Sequence, residues 1–339
     1  MLPWLNNDRF PLYLAPMAGV TDVIFRRLCK EQGADVMVTE FVSAEGILQR
    51  DDRTRHYTDF DEEQRPLGVQ LFGSDGVRMG EAARKIIDWK QPDFIDINFG
   101  CPVNKVVAKN GGSSLLKDCP LLASVAREVA KAVPIPVTAK MRIGWDANHV
   151  NAVEVAKILE DCGMQAIAVH GRTRAQGYTG LADWDVIGQV ADAVKIPVIG
   201  NGDIASGQDV EVRRAQTNVK GIMIGRAAMA NPWVFREAKH YLSTGVHAPH
   251  ATVEDRFAFM RRHCQMAVER NRLGELPTIR AMRNRLMNYT KSIPGGKWLR
   301  QRFSQIGSLM ELEDIFAAYL DHQATHTYEP AALDSPPLA

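Results

Sequence analysis

The chain is predicted to be an α/β protein: a (β/α)8 barrel of the TIM type followed by a small C-terminal helical domain. Three observations predict it. Eight short apolar runs, rich in Val and Ile, recur through the first two-thirds of the 339 residues. Their length suits strands buried on both faces of a parallel sheet. Most are followed by a stretch with helical spacing, and eight such units in one continuous chain favour a closed barrel over an open doubly wound sheet. The first run also lacks the GxGxxG turn of a dinucleotide-binding domain.

Taken in order, Leu12–Pro16 leads into the helical stretch Asp22–Gln32, and Val36–Phe41 forms the second strand. Leu67–Phe72 precedes Asp75–Trp89, where Ala82, Ala83, Ile86 and Ile87 fall on one helical face. Phe94–Phe99 pairs with Asp118–Ala132, Val137–Met141 with Val150–Cys162, and Ala166–His170 with Trp184–Val194. Val198–Asn201 and Gly221–Gly225 complete the eight. The helices after the second and seventh runs carry the weakest pattern. Gly245–Pro249 reads as a boundary, dividing a barrel of residues 1–245 from a helical, basic domain of residues 250–323. Within the latter, Thr252–Arg272, Pro277–Lys291 and Leu309–Gln323 have helical pattern, with a turn at Pro294–Gly296. Residues 324–339, rich in Pro and Ala, are expected to be disordered.

The net charge is only +1, but it is unevenly placed. Arg256 to Arg302 holds 12 Lys or Arg against Glu269 and Glu275, while residues 1–255 sum to −3. A basic block on a near-neutral barrel points to a polyanionic partner, or to a solvated arginine-rich helix face. Cys29, Cys101, Cys119, Cys162 and Cys264 are odd in number, widely spaced and without a CxxC. That argues against a disulfide framework and a metal site and for a reducing cytoplasmic setting. No apolar run approaches the ~20 residues of a membrane span, and the N-terminus lacks a signal-peptide core. No membrane, metal or obligate protein partner is therefore expected.

In such barrels the active site lies at the C-terminal ends of the strands. Polar groups occur at every predicted end: Pro16-Met17-Ala18-Gly19, Glu40, Gln70, Asn98 before Cys101, Lys140 and Arg142, His170 and Arg172, Asn201-Gly202-Asp203, and Gly225-Arg226. One of these alone would pass for a strand-end cap; eight in succession suggest a ring around a ligand. Glycine in the last two loops lets backbone N–H groups approach a phosphate. The expected tenant is a phosphorylated cofactor. Lys140 could hold negative charge on a reduced flavin ring and Gln70 could bond its pyrimidine edge, although a phosphate-bearing substrate in an isomerase-type barrel fits the same residues.

Longer segments sharpen the choice. Ala15-Pro16-Met17-Ala18-Gly19-Val20-Thr21-Asp22, Asp96-Ile97-Asn98-Phe99-Gly100-Cys101-Pro102, Lys140-Met141-Arg142-Ile143-Gly144, His170-Gly171-Arg172-Thr173 and Asn201-Gly202-Asp203-Ile204 stand in one order over residues 12–242. Together they resemble the tRNA-dihydrouridine synthases, most closely the bacterial B-type branch. The resemblance implies an FMN-dependent enzyme that uses NADPH (or NADH) to saturate the C5–C6 double bond of a D-loop uridine in tRNA. Pro16, Met17, Ala18, Gln70, Lys140, His170, Asn201, Gly202, Asp203, Gly225 and Arg226 match its cofactor positions. Cys101 matches the catalytic cysteine that protonates C5 after hydride reaches C6. Asn98, Lys109 and Arg172 match substrate-side positions. The basic tail, with Arg280, Arg283 and Arg285 foremost and Lys291, Lys297 and Arg300 beside them, is expected to grip tRNA phosphates. His263 and Trp298 read as packing residues. Two alternatives remain: an FMN-dependent dehydrogenase of free dihydropyrimidines or dihydroorotate, and a non-catalytic RNA-binding barrel.

Overall fold

The computed structural model describes residues 2–5, 10–49, 52–102, 111–291 and 293–325. Its strands are β1 (Leu12–Leu14), β2 (Met37–Val38), β3 (Val42–Ser43), β4 (Leu67–Phe72), β5 (Phe94–Phe99), β6 (Val137–Arg142), β7 (Ile167–His170), β8 (Val198–Asn201) and β9 (Gly221–Ile224). All pair in parallel, in the order β1-β9-β8-β7-β6-β5-β4-β2. The bridge between Tyr13 and Val36, with the Leu14 amide donating to the Val36 carbonyl at 3.0 Å, joins the two ends of that order. The result is an eight-position barrel in which β2 and β3 share one position, since both pair with β4. Between them the Thr39 hydroxyl accepts the Gln70 amide at 3.1 Å, standing in for a backbone carbonyl where the second strand turns away.

The barrel helices are α1 (Val23–Glu31), the short α2 (Ala44–Leu48) and α3 (Asp52–His56), α4 (Gly76–Lys90), α5 (Cys119–Ala132), α6 (Ala152–Asp161), α7 (Trp184–Ala193), α8 (Gly207–Gln216), α9 (Arg226–Ala230) and α10 (Val234–Thr244). Four begin on an aspartate whose carboxylate accepts the N–H three residues on: Asp22, Asp75, Asp118 and Asp183. Each cap satisfies a donor that would otherwise lack an intrahelical partner, typically worth ~1 kcal/mol. The strands are buried along nearly their whole length, as expected where helices cover the outside and side chains fill the inside. The lower interior is packed by Tyr13, Val36, Val38, Phe94, Ala168, Ile199 and Met223. Trp4 closes it from below, its indole N–H donating to the Tyr13 hydroxyl at 2.9 Å and its ring 5.2 Å from Phe94.

The remaining helices are α11 (Val253–Arg270), α12 (Glu275–Tyr289), α13 (Gly296–Phe303) and α14 (Leu309–Thr325). Phe257 stacks on Phe316 at 4.0 Å to join α11 and α14, and Trp233 of the barrel meets Phe259 at 5.0 Å. Helix α13 was absent from the sequence expectation. The turn at Pro294–Gly296 is present, but the eight residues after it offer only Trp298, Leu299 and Phe303 as apolar anchors, so they are helical because of what they pack on. Helix α14 runs through Thr325, past the expected start of disorder at residue 324; the rest of that segment, 326–339, lies outside the described residues. Among the described residues no helix is long and apolar enough to cross a membrane, and no cluster of His, Cys, Asp or Glu could hold a metal.

Candidate active site at the barrel mouth

Register brings the polar strand ends together. Asn98 lies opposite Lys140, Arg142 opposite His170, His170 opposite Asn201, and Asn201 opposite Met223. Above them opens a cavity of about 350 Å³, within the range of small-molecule sites. Lys140, His170 and Asn201, at their strand ends, form the floor; Pro16 and Met17, with Gly225 beside Met17 because β9 pairs with β1, and Gly202, Asp203 and Arg226 form the wall. Gly202 holds φ +127°, and a Cβ there would come within 2.6 Å of Ala182, so only glycine lets the β8 loop turn so tightly.

The wall around Asp203 is electrostatically organised. Asp203, itself at φ +50°, accepts from Arg172 at 2.9 Å, from Arg226 at 3.1 Å and from the Ala182 amide at 2.7 Å. Burial alone would raise its pKa; the bonds from Arg172 and Ala182 and the two positive charges outweigh burial and hold it below the usual carboxylate value. Two arginines sharing one carboxylate leave the wall net positive, as an anionic ligand requires. Lys140 is half-buried, yet enclosed enough that desolvation, aided by the charge of Arg142, lowers its pKa to about 8; Asp96 and Cys101 oppose the shift. Burial, reinforced by Lys140, Arg142, Arg172 and Arg226, pushes His170 far below its ordinary value, so its imidazole is neutral and can both donate and accept.

Cys101 is buried just beyond β5, beside Lys140 rather than on the cavity wall. Its backbone N–H donates to the Asn98 Oδ1 at 2.8 Å, and its carbonyl accepts from the Ser113 hydroxyl at 2.8 Å. Thus Asn98 holds the turn that carries the thiol. Gln70 lies beneath the cavity instead of lining it, donating to Asp96 and accepting from Asn98. Ala18 is exposed at the loop tip and also off the wall.

Other expectations change more. Arg172 was expected to face RNA; its side chain is 2% exposed and forms part of the cavity wall on Asp203. Arg283 donates to the carbonyls of Ile306 (2.8 Å) and Gln305 (2.6 Å). Arg285 pairs with Asp22 at 2.7 Å and donates to the Gly19 carbonyl at 3.1 Å, tying α12 to the loop after β1. Both guanidiniums were expected on tRNA phosphates and are instead engaged within the protein, because barrel and tail acceptors lie within their reach. Arg280 is exposed. Lys109 lies outside the described residues. Tyr178 was missed: it lines the cavity rim with the Arg226 and Arg142 guanidiniums 5.0 and 5.7 Å from its ring centroid. Its glycine-flanked loop, Gly177 to Gly180, was the available signal. A second hollow of about 460 Å³ lies between the β1 loop and the tail, lined by Gly19, Val20, Asn284, Asn288 and Arg300 among others.

A closed parallel barrel with a cationic, glycine-walled cavity at the C-terminal strand ends has the layout of an enzyme barrel with a site suited to an anionic group. A family model described as dihydrouridine synthase matches residues 13–325. The tRNA-dihydrouridine synthase B of Pseudomonas putida is 42% identical over 295 residues, covering 87% of this chain and 87% of that protein. The protein of the same name from Vibrio vulnificus is 38% identical over 314 residues, 93% of this chain and 97% of that protein. Among solved structures, histamine dehydrogenase from Rhizobium sp. 4-9 superposes with a TM-score of 0.51 at 13% identity, covering 76% of this chain and 49% of that one, a likeness of fold alone. The chain belongs to the dihydrouridine synthase family, on its B-type branch, and is a flavin-dependent oxidoreductase acting on CH–CH groups.

Proposed function

We propose that the chain reduces the C5–C6 double bond of a D-loop uridine in tRNA, with FMN in the barrel mouth, NADPH or NADH as reductant and Cys101 as proton donor. One observation carries the reading. Nine of the eleven residues expected at the cofactor, Pro16, Met17, Lys140, His170, Asn201, Gly202, Asp203, Gly225 and Arg226, converge on one cavity whose floor residue Lys140 adjoins Cys101.

The residues fit a flavin phosphate. Arg226 and the Gly202 and Gly225 backbone would hold the phosphate end, and Lys140 and neutral His170 the ring end. When bound, the flavin supplies the hydride for C6 of the uracil. The chain's own part is to seat the base, exclude water and deliver the proton at C5. Cys101 suits that proton because a thiol is protonated at neutral pH yet acidic enough to release it. The thiolate left behind would face the positive charge of Lys140. A uridine inside folded RNA has to leave its stack to enter a barrel mouth. We assign the grip on the rest of the RNA to the basic domain of residues 250–323, through Arg280, Lys291 and Lys297, which are exposed. A cytoplasmic enzyme follows, and none of the five cysteines forms a disulfide.

The test is incubation of the purified protein with NADPH and unmodified tRNA transcripts, with dihydrouridine mapped by reverse transcription after alkaline cleavage. Reduction within the D-loop is expected. Turnover of free uracil or orotate with no reduction of tRNA would replace this reading with a small-molecule dehydrogenase.

A further inference from the structure

The cavity gives Lys140 and His170 their surroundings but does not account for Asp96, a carboxylate 4% exposed inside the barrel and off the cavity wall. We infer that Asp96 is a positioning residue: with Thr138 it sets the direction of a hydrogen-bond chain that rises through Gln70 and Asn98 to the backbone of Cys101. The functional consequence rests on the role proposed for Cys101; the chain itself does not.

The contacts form an unbroken series. The Thr138 hydroxyl donates to Asp96 Oδ1 at 2.6 Å, and Gln70 Nε2 donates to Asp96 Oδ2 at 2.6 Å. Asn98 Nδ2 donates to Gln70 Oε1 at 2.8 Å. Asn98 Oδ1 then accepts from the Gly100 and Cys101 amides at 3.0 and 2.8 Å. Register fixes the members, since Gln70 and Thr138 each lie directly opposite Asp96 on the neighbouring strands.

A primary amide is two-faced, because rotation by half a turn exchanges its acceptor for its donors at almost no steric cost. Two amides in series could therefore point either way. A carboxylate accepts only. It forces Gln70 to face it with NH2, which turns the Gln70 oxygen towards Asn98, which turns the Asn98 oxygen towards the two turn amides. Reversal would set the Asn98 NH2 against two backbone N–H groups, donor against donor. Gln70, Asp96 and Asn98 are all buried, so no bulk water replaces a lost partner, and an error at the bottom is transmitted to the top.

An asparagine at position 96 can still serve, because its oxygen can face Gln70 while its NH2 donates to the Thr138 hydroxyl. Without that hydroxyl the asparagine has no reason to keep its orientation. The lower end of the chain then no longer holds the Gln70 amide in one orientation, and only the two turn amides still oppose reversal, although volume and charge barely change from the single variant. The discriminating set is therefore Asp96→Asn, Thr138→Val and the double variant, read by hydrogen exchange at the Gly100 and Cys101 amides in the full-length protein. Both singles should exchange as the wild type does. The double should exchange about tenfold faster at those two amides and not in β6 or β7, the loss corresponding to one net hydrogen bond. Its tRNA reduction should fall about tenfold below that of Asp96→Asn, which carries the same charge. If the double variant exchanges like the singles, the relay is wrong. If exchange rises and turnover does not, the relay stands and the assignment of Cys101 as proton donor falls. Should the double variant not fold, Gln70→Leu removes the middle of the chain and is expected to give the same local acceleration.

Discussion

The barrel mouth and the tail both concentrate positive charge, but the charges have different fates. In the mouth, buried Arg172 and partly exposed Arg226 converge on Asp203, and Lys140 is left without a carboxylate close enough to restore its ordinary pKa. In the tail, the block from Arg256 to Arg302 is largely solvated, and many of its members face acids. Arg262 pairs with Glu31, Arg270 with Asp61 and Arg261 with Glu313. Arg262 and Arg270 of α11 thus tie the tail to the barrel, and Arg261 ties α11 to α14. Local charge excess in a sequence overstates the charge available to a partner, because it ignores acids brought close only by folding.

The comparison can be tested at four strengths. The largest effect is expected in the mouth: Cys101→Ala should keep its flavin absorbance yet lose about 10²–10⁴-fold in tRNA reduction, the usual reach of a general acid. Near-wild-type dihydrouridine formation would remove Cys101 from that role. Next, Asp203→Asn keeps a residue that tolerates left-handed backbone but withdraws the charge from buried Arg172. A loss of about 2–3 kcal/mol in urea unfolding is expected, discounted from that of a fully buried pair because Asp203 is partly exposed. A loss below about 0.5 kcal/mol would make the mouth pair no different from a surface one.

Lys140 supplies a test by pH. Its folded pKa of about 8 lies below the 10.5 of free lysine, so between those values the unfolded chain binds more protons. Stability of the flavin-free protein should therefore rise with pH through that window, the penalty being fully present below about 8. Lys140→Met should flatten the rise and lift the melting temperature at pH 7 by about 2–4 °C. An unchanged slope in thermal melts from pH 7 to 10 would contradict the desolvation of this group. The smallest effects belong to the tail. Arg280→Ala and Lys297→Ala should each lower the slope of log affinity for tRNA against log salt by about one unit. Arg262→Ala should leave that slope unchanged and cost under about 1 kcal/mol of stability. Equal slopes for all three would mean that the Arg262–Glu31 pair opens to meet RNA.

Where one residue type at one spacing suffices, the sequence was readable. The eight strand positions follow from apolar runs that must be buried on both faces, and α1, α4, α5 and α7 from the helical spacing of the stretches after them, to which the structure adds the capping aspartates. The cavity residues were readable because a barrel places successive strand ends on one rim, so Lys140 and Gly225 line one cavity despite the chain between them. What depends on contact between distant segments was not. The split of the second strand at Thr39–Phe41 depends on a hydroxyl replacing a carbonyl towards β4. Arg285 looked like its neighbour Arg280, and only packing of α12 on the β1 loop separates an internal strut from an exposed cation. Tyr178 stands in a loop with no periodicity, and its place follows from where Arg226 lies.

Trp4, wedged beneath Tyr13 and Phe94, makes the barrel a vessel with a stopper at its base. Among the described residues, the cavity opens at the C-terminal strand ends, the side on which RNA is proposed to sit. On the proposed function, a reductant and a polynucleotide that both need the bottom of this well would have to queue, one leaving before the other is admitted.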